Sequence, residues 1–177
     1  MSREIREFIS EEQIKKRVKE LGKQITKDYK GKDIMLIGIL KGSVPFLTSL
    51  MWEIDNPLLT IDFMQVSSYG SGTESTGDIK IMKDLDDSIK DKNVLIVEDI
   101  VDTGRTIERL LNMLSTRGPK SIKVCTLLDK PSRRECDVKA DYIGFEIDNV
   151  FVAGFGLDDD QYVRQLKYVG EVIFWLL

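Results

Sequence analysis

The feature that most constrains the fold is the stretch VLIVEDIVDTGRTI, residues 94–107. Residues 94–97 form a short apolar run rich in β-branched side chains, which is typical of a strand buried on both faces of a sheet. From Ile107 onwards, apolar residues recur at helical spacing, so the stretch predicts a strand, a loop and a helix. In an open α/β sheet, ligands bind beyond the carboxyl ends of the strands, where a helix start directs free N–H groups at anions. The loop from Glu98 to Thr106 is therefore the predicted centre of the functional site.

The remainder of the chain alternates predicted strands with predicted helices. Ser10 and Gln13 form a capping-box pattern before a helix that is predicted to reach about Tyr29, and a second helix is predicted over 46–54. Further strands are predicted over 33–40, 60–67, 79–85, 121–128, 142–147, 150–155 and 168–175. This alternation predicts an α/β fold with a mostly parallel twisted sheet that is flanked by helices.

The composition limits the domain count and the cellular compartment. A chain of 177 residues, 42% hydrophobic and 32% charged, is expected to form one globular domain over residues 1–177. No apolar run approaches the roughly 20 residues that a membrane helix requires, and residues 1–10 lack the apolar core of a signal peptide. Cys125 and Cys136 form no CxxC motif and suggest reduced thiols. We expect a cytoplasmic protein with no membrane partner.

The absence of histidine limits the chemistry that the chain can perform. Ser-His-Asp and Cys-His nucleophile systems and HExxH metal sites are excluded, so acid–base work must fall to carboxylates, Lys, Tyr or Cys. A metal would be bound through oxygen, which favours a hard cation such as Mg²⁺. The net charge of -4 argues against a general affinity for nucleic acid, so no nucleic-acid partner is expected.

The loop after the central strand has the composition of a phosphate cradle. Residues 102–106 combine hydroxyl side chains, a glycine that can adopt positive φ, and a helix start. Neither a Walker pattern nor GxGxxG occurs in the chain. Glu98 and Asp99 are adjacent acceptors that suit sugar hydroxyls or a water on Mg²⁺, and they repel each other unless donors or a cation satisfy them. The alternative for Asp102 is a structural N-cap, the commoner role of an acid at a helix start.

The segment from Glu98 to Thr106 resembles the phosphoribosyl-diphosphate (PRPP) binding motif of type I phosphoribosyltransferases, in which an acid pair and three variable positions precede T-G-x-T. The resemblance runs from the first helix to about Tyr168 and is greatest to the members that act on hypoxanthine and guanine. It includes LKGS, SSYGS with STGDIK, LLDKPSRR, DYIGFEI and FVAGFGLD. It implies the type I phosphoribosyltransferase fold, with a small hood built from N- and C-terminal segments.

The implied activity is Mg²⁺-dependent transfer of 5-phosphoribosyl from PRPP to N9 of a 6-oxopurine, giving IMP or GMP and pyrophosphate. By resemblance, Glu98 and Asp99 hold the ribose hydroxyls, and Asp158 holds Mg²⁺ together with this acid pair. Asp102 is implied to be the general base or acid at purine N7. Such a role suits a chain without histidine, because a carboxylate must then carry the proton.

The resemblance also implies the contacts that hold the two substrates. The purine would be contacted by Lys130 at the 6-oxo group, Phe151 by stacking, Val152 through its backbone, and Asp158. The 5'-phosphate would be bound by Thr103, Gly104, Arg105 and Thr106, and the pyrophosphate by Lys41, Gly42 and Arg164. A non-proline cis peptide is often found in the family at the position of Leu40 and Lys41. Ser68 and Tyr69 belong to a Gly/Ser-rich flexible loop, about 67–78, that is expected to close over the reaction centre.

Several of these residues have ordinary structural alternatives. Lys130 would usually be a solvated lysine, Phe151 a core residue, Arg164 an exposed arginine, and Asp158 part of an exposed acidic turn. The chain departs from the family at 147–149, which lacks a proline, and at Ala153, where a bulkier valine is common. The apolar ending EVIFWLL suggests burial against the domain or another subunit, and a homodimer or homotetramer is expected.

Two other functions compete with purine transfer. An RNA-binding regulator of the pyrimidine-attenuation type has the same fold, but it usually has Tyr at the position of Asp102. This chain also shows neither a basic excess nor an aromatic RNA-stacking pattern. Transfer to adenine, orotate or uracil is disfavoured because Asp102 and Lys130 suit a base with N7 and a 6-oxo group.

Overall fold

A computed structural model describes residues 2–68 and 79–175, and the side chains of Ser2, Ser68, Ile79 and Trp175 are outside that description. The helices are α1 (Glu11–Asp28), α2 (Val44–Trp52) and α3 (Arg105–Ser115), and a short 3-10 turn covers Pro131–Arg133. The strands are β1 (Ser2–Ile9), β2 (Ile34–Ile39), β3 (Leu59–Ser68), β4 (Ile79–Lys83), β5 (Asn93–Val101), β6 (Ser121–Asp129), β7 (Tyr142–Glu146), β8 (Val152–Ala153) and β9 (Val169–Trp175).

The main sheet has six strands in the order β4-β3-β2-β5-β6-β7. The pairs from β3 to β7 are parallel, and only the β3–β4 hairpin at the edge is antiparallel. The core lies on both faces of this sheet, because alternate residues of β5 point to opposite sides. Leu95 and Val97 pack with α1 and α2, whereas Val94 and Ile96 pack with α3. The predicted α/β fold and its doubly buried central strand are confirmed.

The central strand β5 extends further than its apolar run predicted. Ile100 and Val101 pair with Leu128 and Asp129 of β6, so the ladder continues past the acid pair. The predicted start of the loop at Glu98 is therefore wrong, and the loop itself is confined to residues 102–104. Because parallel pairing with β6 satisfies the backbone here, Glu98 and the residue after it project from a fixed strand.

A second, smaller sheet is formed by the two ends of the described chain. Its order is β1-β9-β8, with antiparallel pairing throughout. This sheet confirms the hood that the resemblance implied. The strand β1 was not predicted, because half of the residues in Ser2–Ile9 are charged and the segment lacks a clear alternation. Its conformation depends on pairing with β9, where Arg6 also donates a 2.8 Å hydrogen bond to Glu171.

The first helix has the start that the sequence predicted and is tied to the far edge of the sheet. The Ser10 hydroxyl accepts from the Gln13 N–H, and the Gln13 side chain accepts from the Ser10 N–H. Arg17 donates hydrogen bonds of 2.7 and 2.9 Å to the carbonyls of Ile143 and Gly144 in β7. Within the described ranges no helix is long and apolar enough to cross a membrane.

Candidate active site

The candidate site lies at the carboxyl edge of the main sheet, where β2, β5 and β6 end side by side. Parallel strands place all their carboxyl ends at one edge, so three loops that are distant in sequence meet there. These loops follow Ile39, Val101 and Asp129. They carry the predicted pyrophosphate, phosphate and purine contacts respectively.

The acid pair near the end of β5 combines a buried Glu98 with a half-buried Asp99. Glu98 is only 8% exposed, and no hydrogen bond or ion pair to its carboxylate is found among the described residues. Burial, together with neighbouring Asp99, raises the pKa of Glu98 well above its usual value. Burial also raises the pKa of Asp99 to about 6, although the Ile100 N–H and the Arg164 guanidinium oppose that shift. This oxygen-only pair therefore has the donor chemistry and the excess negative charge that suit a hard cation.

The loop after β2 approaches the acid pair as closely as backbone can. A Cβ placed on Gly42 would overlap the Asp99 carboxylate, and a Cβ placed on Gly156 would overlap the Gly42 carbonyl oxygen. The peptide between Leu40 and Lys41 is cis, as the family resemblance implied. The side chain of Lys41 is exposed. Only glycine fits at residue 42 with this geometry, so the predicted pyrophosphate loop is built directly against the sugar site.

Asp102 occupies the loop between β5 and α3, but it is not the helix cap. Gly104 is the N-cap of α3, with φ 86, and no side chain caps that end. The Asp102 carboxylate instead lies 3.2 Å from Arg133 Nε and 3.8 Å from Lys130 Nζ. The Lys130 side chain is only 7% exposed, so it is not a solvated lysine. The structural alternatives for both residues are therefore wrong, and the two side chains face each other.

The predicted phosphate cradle lies at the start of α3. A cleft of about 250 Å³ is lined by residues 98–104 together with Thr106 and Ile107. The first N–H groups of a helix have no intrahelical partner, so the first turn of α3 directs free donors at this cleft. Arg105, a predicted phosphate contact, does not line this cleft, and its guanidinium pairs with Glu135 at 2.6 Å. Thr103 accepts a 3.4 Å hydrogen bond from the Arg105 N–H.

A second cleft, of about 240 Å³, brings the predicted purine contacts together. Its lining residues are Asp99, Ile100, Asp102, Lys130, Phe151, Val152, Leu157 and Asp158. Phe151 is 47% exposed and is not a core residue. Its ring stacks on Phe174 of β9, with centroids 5.9 Å apart and planes inclined by 29°. Phe174 was not among the predicted site residues, although the apolar ending EVIFWLL predicted that this segment packs against another surface.

Asp158 and Arg164 are paired with each other across the turn that follows β8. Arg164 Nη2 lies 2.7 Å from Asp158 Oδ1, and Arg164 Nη1 donates to the Gly156 carbonyl at 2.7 Å. Asp158 Oδ2 also accepts from the Gln161 N–H. Within residues 2–68 and 79–175, no three His, Cys, Asp or Glu side chains gather closely enough to hold a metal together. The predicted ligands Glu98, Asp99 and Asp158 are thus not assembled as a ready-made metal site.

The predicted closing loop lies largely outside the described residues. Ser68 ends β3, but its side chain is not described, and Tyr69 with the residues up to 78 lies beyond the description. Cys125 and Cys136 are both unpaired, as the sequence predicted.

Comparison with known proteins relates this site to characterised enzymes. The profile of the phosphoribosyl transferase domain family matches residues 6–160. The chain is 49% identical to the hypoxanthine phosphoribosyltransferase of Salmonella typhimurium over 98% of both chains. It is 50% identical to the hypoxanthine-guanine phosphoribosyltransferase of Bacillus subtilis, over 92% of this chain and 90% of that one. The crystal structure of a hypoxanthine phosphoribosyltransferase from Staphylococcus aureus superposes with a TM-score of 0.90 at 48% identity, covering 94% of this chain and 90% of that chain.

Proposed function

The chain belongs to the phosphoribosyl transferase family, and from that premise we propose that it transfers 5-phosphoribosyl from PRPP to N9 of hypoxanthine or guanine. The products are IMP or GMP and pyrophosphate, which makes it a purine-salvage enzyme. The observation that carries this proposal is the cleft in which buried Lys130 faces Asp102, beside exposed Phe151 and Asp99 of the acid pair. The RNA-binding alternative is not favoured, because the close relatives are named as transferases.

The purine half of the reaction is assigned to three side chains of that cleft. The Lys130 ammonium donates to the 6-oxo group and so makes the N7 proton easier to remove. Asp102 accepts this proton while N9 forms its bond to C1 of the ribose and the bond to pyrophosphate breaks. Phe151, itself braced by Phe174, stacks on the purine ring, and the Val152 backbone borders the ring edge.

The sugar half of the reaction is assigned to the end of β5 and the start of α3. Loss of pyrophosphate develops positive charge on the ribose, as in glycoside hydrolysis, so carboxylates nearby stabilise the transition state. Glu98 and Asp99 accept from the ribose hydroxyls. The backbone N–H groups of Thr103, Gly104, Arg105 and Thr106, with the threonine hydroxyls, hold the 5'-phosphate.

Mg²⁺ is proposed as the cofactor, and the donors present fit it. Glu98, Asp99 and Asp158 offer only oxygen, and burial raises the pKa values of the first two, so a cation beside them would favour their charged forms. When bound, the ion would neutralise the pyrophosphate oxygens and improve the leaving group. Because these carboxylates form no preassembled cluster, substrate oxygens are expected to complete the coordination.

The leaving pyrophosphate is assigned to Lys41, Gly42 and Arg164. Arg164 is already paired with Asp158, so an incoming pyrophosphate would compete for that guanidinium. The loop 67–78, with Ser68 and Tyr69, is proposed to close over the reaction centre and exclude water.

Residues 1–177 are proposed to act as one phosphoribosyltransferase domain, in the cytoplasm, where two free thiols are expected.

Initial rates with four bases test this function. Hypoxanthine, guanine, xanthine and adenine would be compared at saturating PRPP and Mg²⁺, and again after chelation of the metal. We expect turnover with at least one 6-oxopurine, none with adenine, and loss of activity on chelation that added Mg²⁺ restores. Equal use of adenine would contradict the assignment of Lys130 to the 6-oxo group. Full activity in excess chelator would contradict the proposed cofactor.

A homodimer or homotetramer is also proposed, on the basis of the exposed edge of the main sheet. Ile61, Ile81 and Met82 of the β3–β4 hairpin are 44%, 37% and 55% exposed. Ile81 and Met82 are consecutive in β4 and point to opposite faces, so both faces of this edge hairpin carry exposed apolar side chains, which an interface between subunits would bury. Light scattering is expected to give two or four times the monomer mass of 20.2 kDa. A monomer mass at micromolar concentration would contradict this expectation.

A further inference from the structure

Three positive side chains of the segment that follows β6 contact the Asp102 loop. Two of them contact the Asp102 carboxylate, and the third contacts the backbone. Lys130 and Arg133 approach the Asp102 carboxylate itself. Arg134 instead donates from Nη1 to the Asp102 backbone carbonyl at 2.6 Å and to the Val101 carbonyl at 3.3 Å. Its side chain is only 15% exposed, and it lines neither the purine cleft nor the phosphate cleft. Arg134 therefore acts on the loop from outside the substrate sites.

The same guanidinium joins the ends of two strands. Its Nη2 group pairs with the carboxylate of Asp129, which is the last residue of β6 and is 7% exposed. Lys130 follows immediately, and its own N–H donates to the Val101 carbonyl at 3.0 Å. A planar guanidinium presents its donors in a rigid fork, so one side chain fixes the end of β5 relative to the end of β6.

The loop is also shaped to accept the arginine. A Cβ placed on Gly104 would lie 2.8 Å from Arg134 Cδ, and the positive φ of Gly104 already disfavours other residues. The Thr103 carbonyl accepts a 2.9 Å hydrogen bond from the N–H of Glu135, the residue after Arg134. The backbone of residues 102–104 is thus covered by the segment that carries Lys130.

We propose that Arg134, held by Asp129, is a positioning residue that fixes the Asp102 backbone relative to Lys130. The inference rests on the proposed function, in which Asp102 takes the N7 proton while Lys130 polarises the 6-oxo group. The Asp102 side chain is 41% exposed and belongs to a short loop, so its own packing does not hold it in place. Without Arg134, the carbonyls of Val101 and Asp102 each lose a hydrogen-bond donor, and the buried Asp129 carboxylate loses its ion-pair partner.

The first experiment replaces Arg134 with Met in the full-length protein. Because a misplacement of about 1 Å costs on the order of a hundredfold in rate, kcat is expected to fall by about ten- to a hundredfold. Arg134→Lys keeps a charge for Asp129 but lacks the planar fork, so partial recovery of kcat is expected. The matched control is Arg17→Met, which also removes two hydrogen bonds to backbone carbonyls, those of Ile143 and Gly144 in β7. It should lower the melting temperature and leave kcat unchanged.

A double-mutant cycle separates positioning from a general structural role. If Arg134 acts through Asp102, Arg134→Met should cost little further turnover once Asp102→Asn is present. Suppose that Asp102→Asn lowers kcat strongly and that the losses of kcat in the two variants are fully additive. The positioning role of Arg134 would then be wrong, whereas the proton role of Asp102 would stand. Normal turnover in Asp102→Asn would instead remove the proposed proton role, and this inference with it. Should Arg134→Met fail to fold, the same cycle with Arg134→Lys gives the same two readings.

Discussion

Asp102→Asn is expected to lower kcat by about a hundredfold to ten-thousandfold, the range for loss of a general acid–base group, while PRPP binding survives. The amide has nearly the same shape as the carboxylate, so it preserves the loop but cannot accept the N7 proton at neutral pH. The backbone contacts of residue 102 with Arg134 do not involve the side chain and should persist. The proposed phosphate cradle, with its main-chain N–H groups and threonine hydroxyls, is likewise expected to be retained.

Steady-state kinetics and direct PRPP titration test this expectation together. Asp87→Asn, an exposed carboxylate outside both clefts, is the matched control and should leave kcat and KM unchanged. Lys130→Ala provides a contrast, since loss of a charged hydrogen bond of about 1.5–3 kcal/mol should mainly raise KM for the purine. Unchanged turnover in Asp102→Asn would contradict the proton-transfer role, and unchanged purine affinity in Lys130→Ala would contradict the 6-oxo contact.

Much of the main sheet could be predicted because its local signals agree with the fold. The apolar run 94–97 and the helical spacing after Ile107 both place a ligand site between them, and the structure has a cleft there. The extent of β5 could not be predicted, because the continuation of the strand through Glu98 and Asp99 depends on pairing with β6. Acidic residues disfavour strands locally, and only the neighbouring strand overrides that preference.

The candidate site was predictable where a residue belongs to a recognisable motif, and less so where it supports another residue. Arg133 and Arg134 stand beside Lys130 in sequence, but only the folded chain shows which of them contacts a carboxylate and which contacts backbone. Phe174 lies far from Phe151 in sequence and meets it because β9 forms the middle of the hood. Long-range packing of this kind leaves no local pattern.

Gly42→Ala is expected to have the second large effect, with kcat/KM for PRPP lower by about a hundredfold, since a misplacement of about 1 Å at a clamp can cost on the order of a hundredfold in rate. A methyl group at residue 42 would overlap the Asp99 carboxylate, so either the loop or the acid must move. Movement of the loop is opposed by Gly156, whose own close contact is with the Gly42 carbonyl. Displacement of Asp99 would disturb the ribose contact and the proposed Mg²⁺ site at once.

Gly22→Ala is the control that separates this local effect from overpacking in general. A Cβ placed on Gly22 would lie 2.5 Å from Glu53, in the contact between α1 and the end of α2, away from both clefts. Overpacking of this kind costs about 1–3 kcal/mol of stability, so both variants should melt earlier than the parent. Only Gly42→Ala should also lose PRPP affinity and require more Mg²⁺ for half-maximal rate. Equal kinetic losses in the two variants would mean that stability, and not the close approach of Gly42 to Asp99, determines the effect.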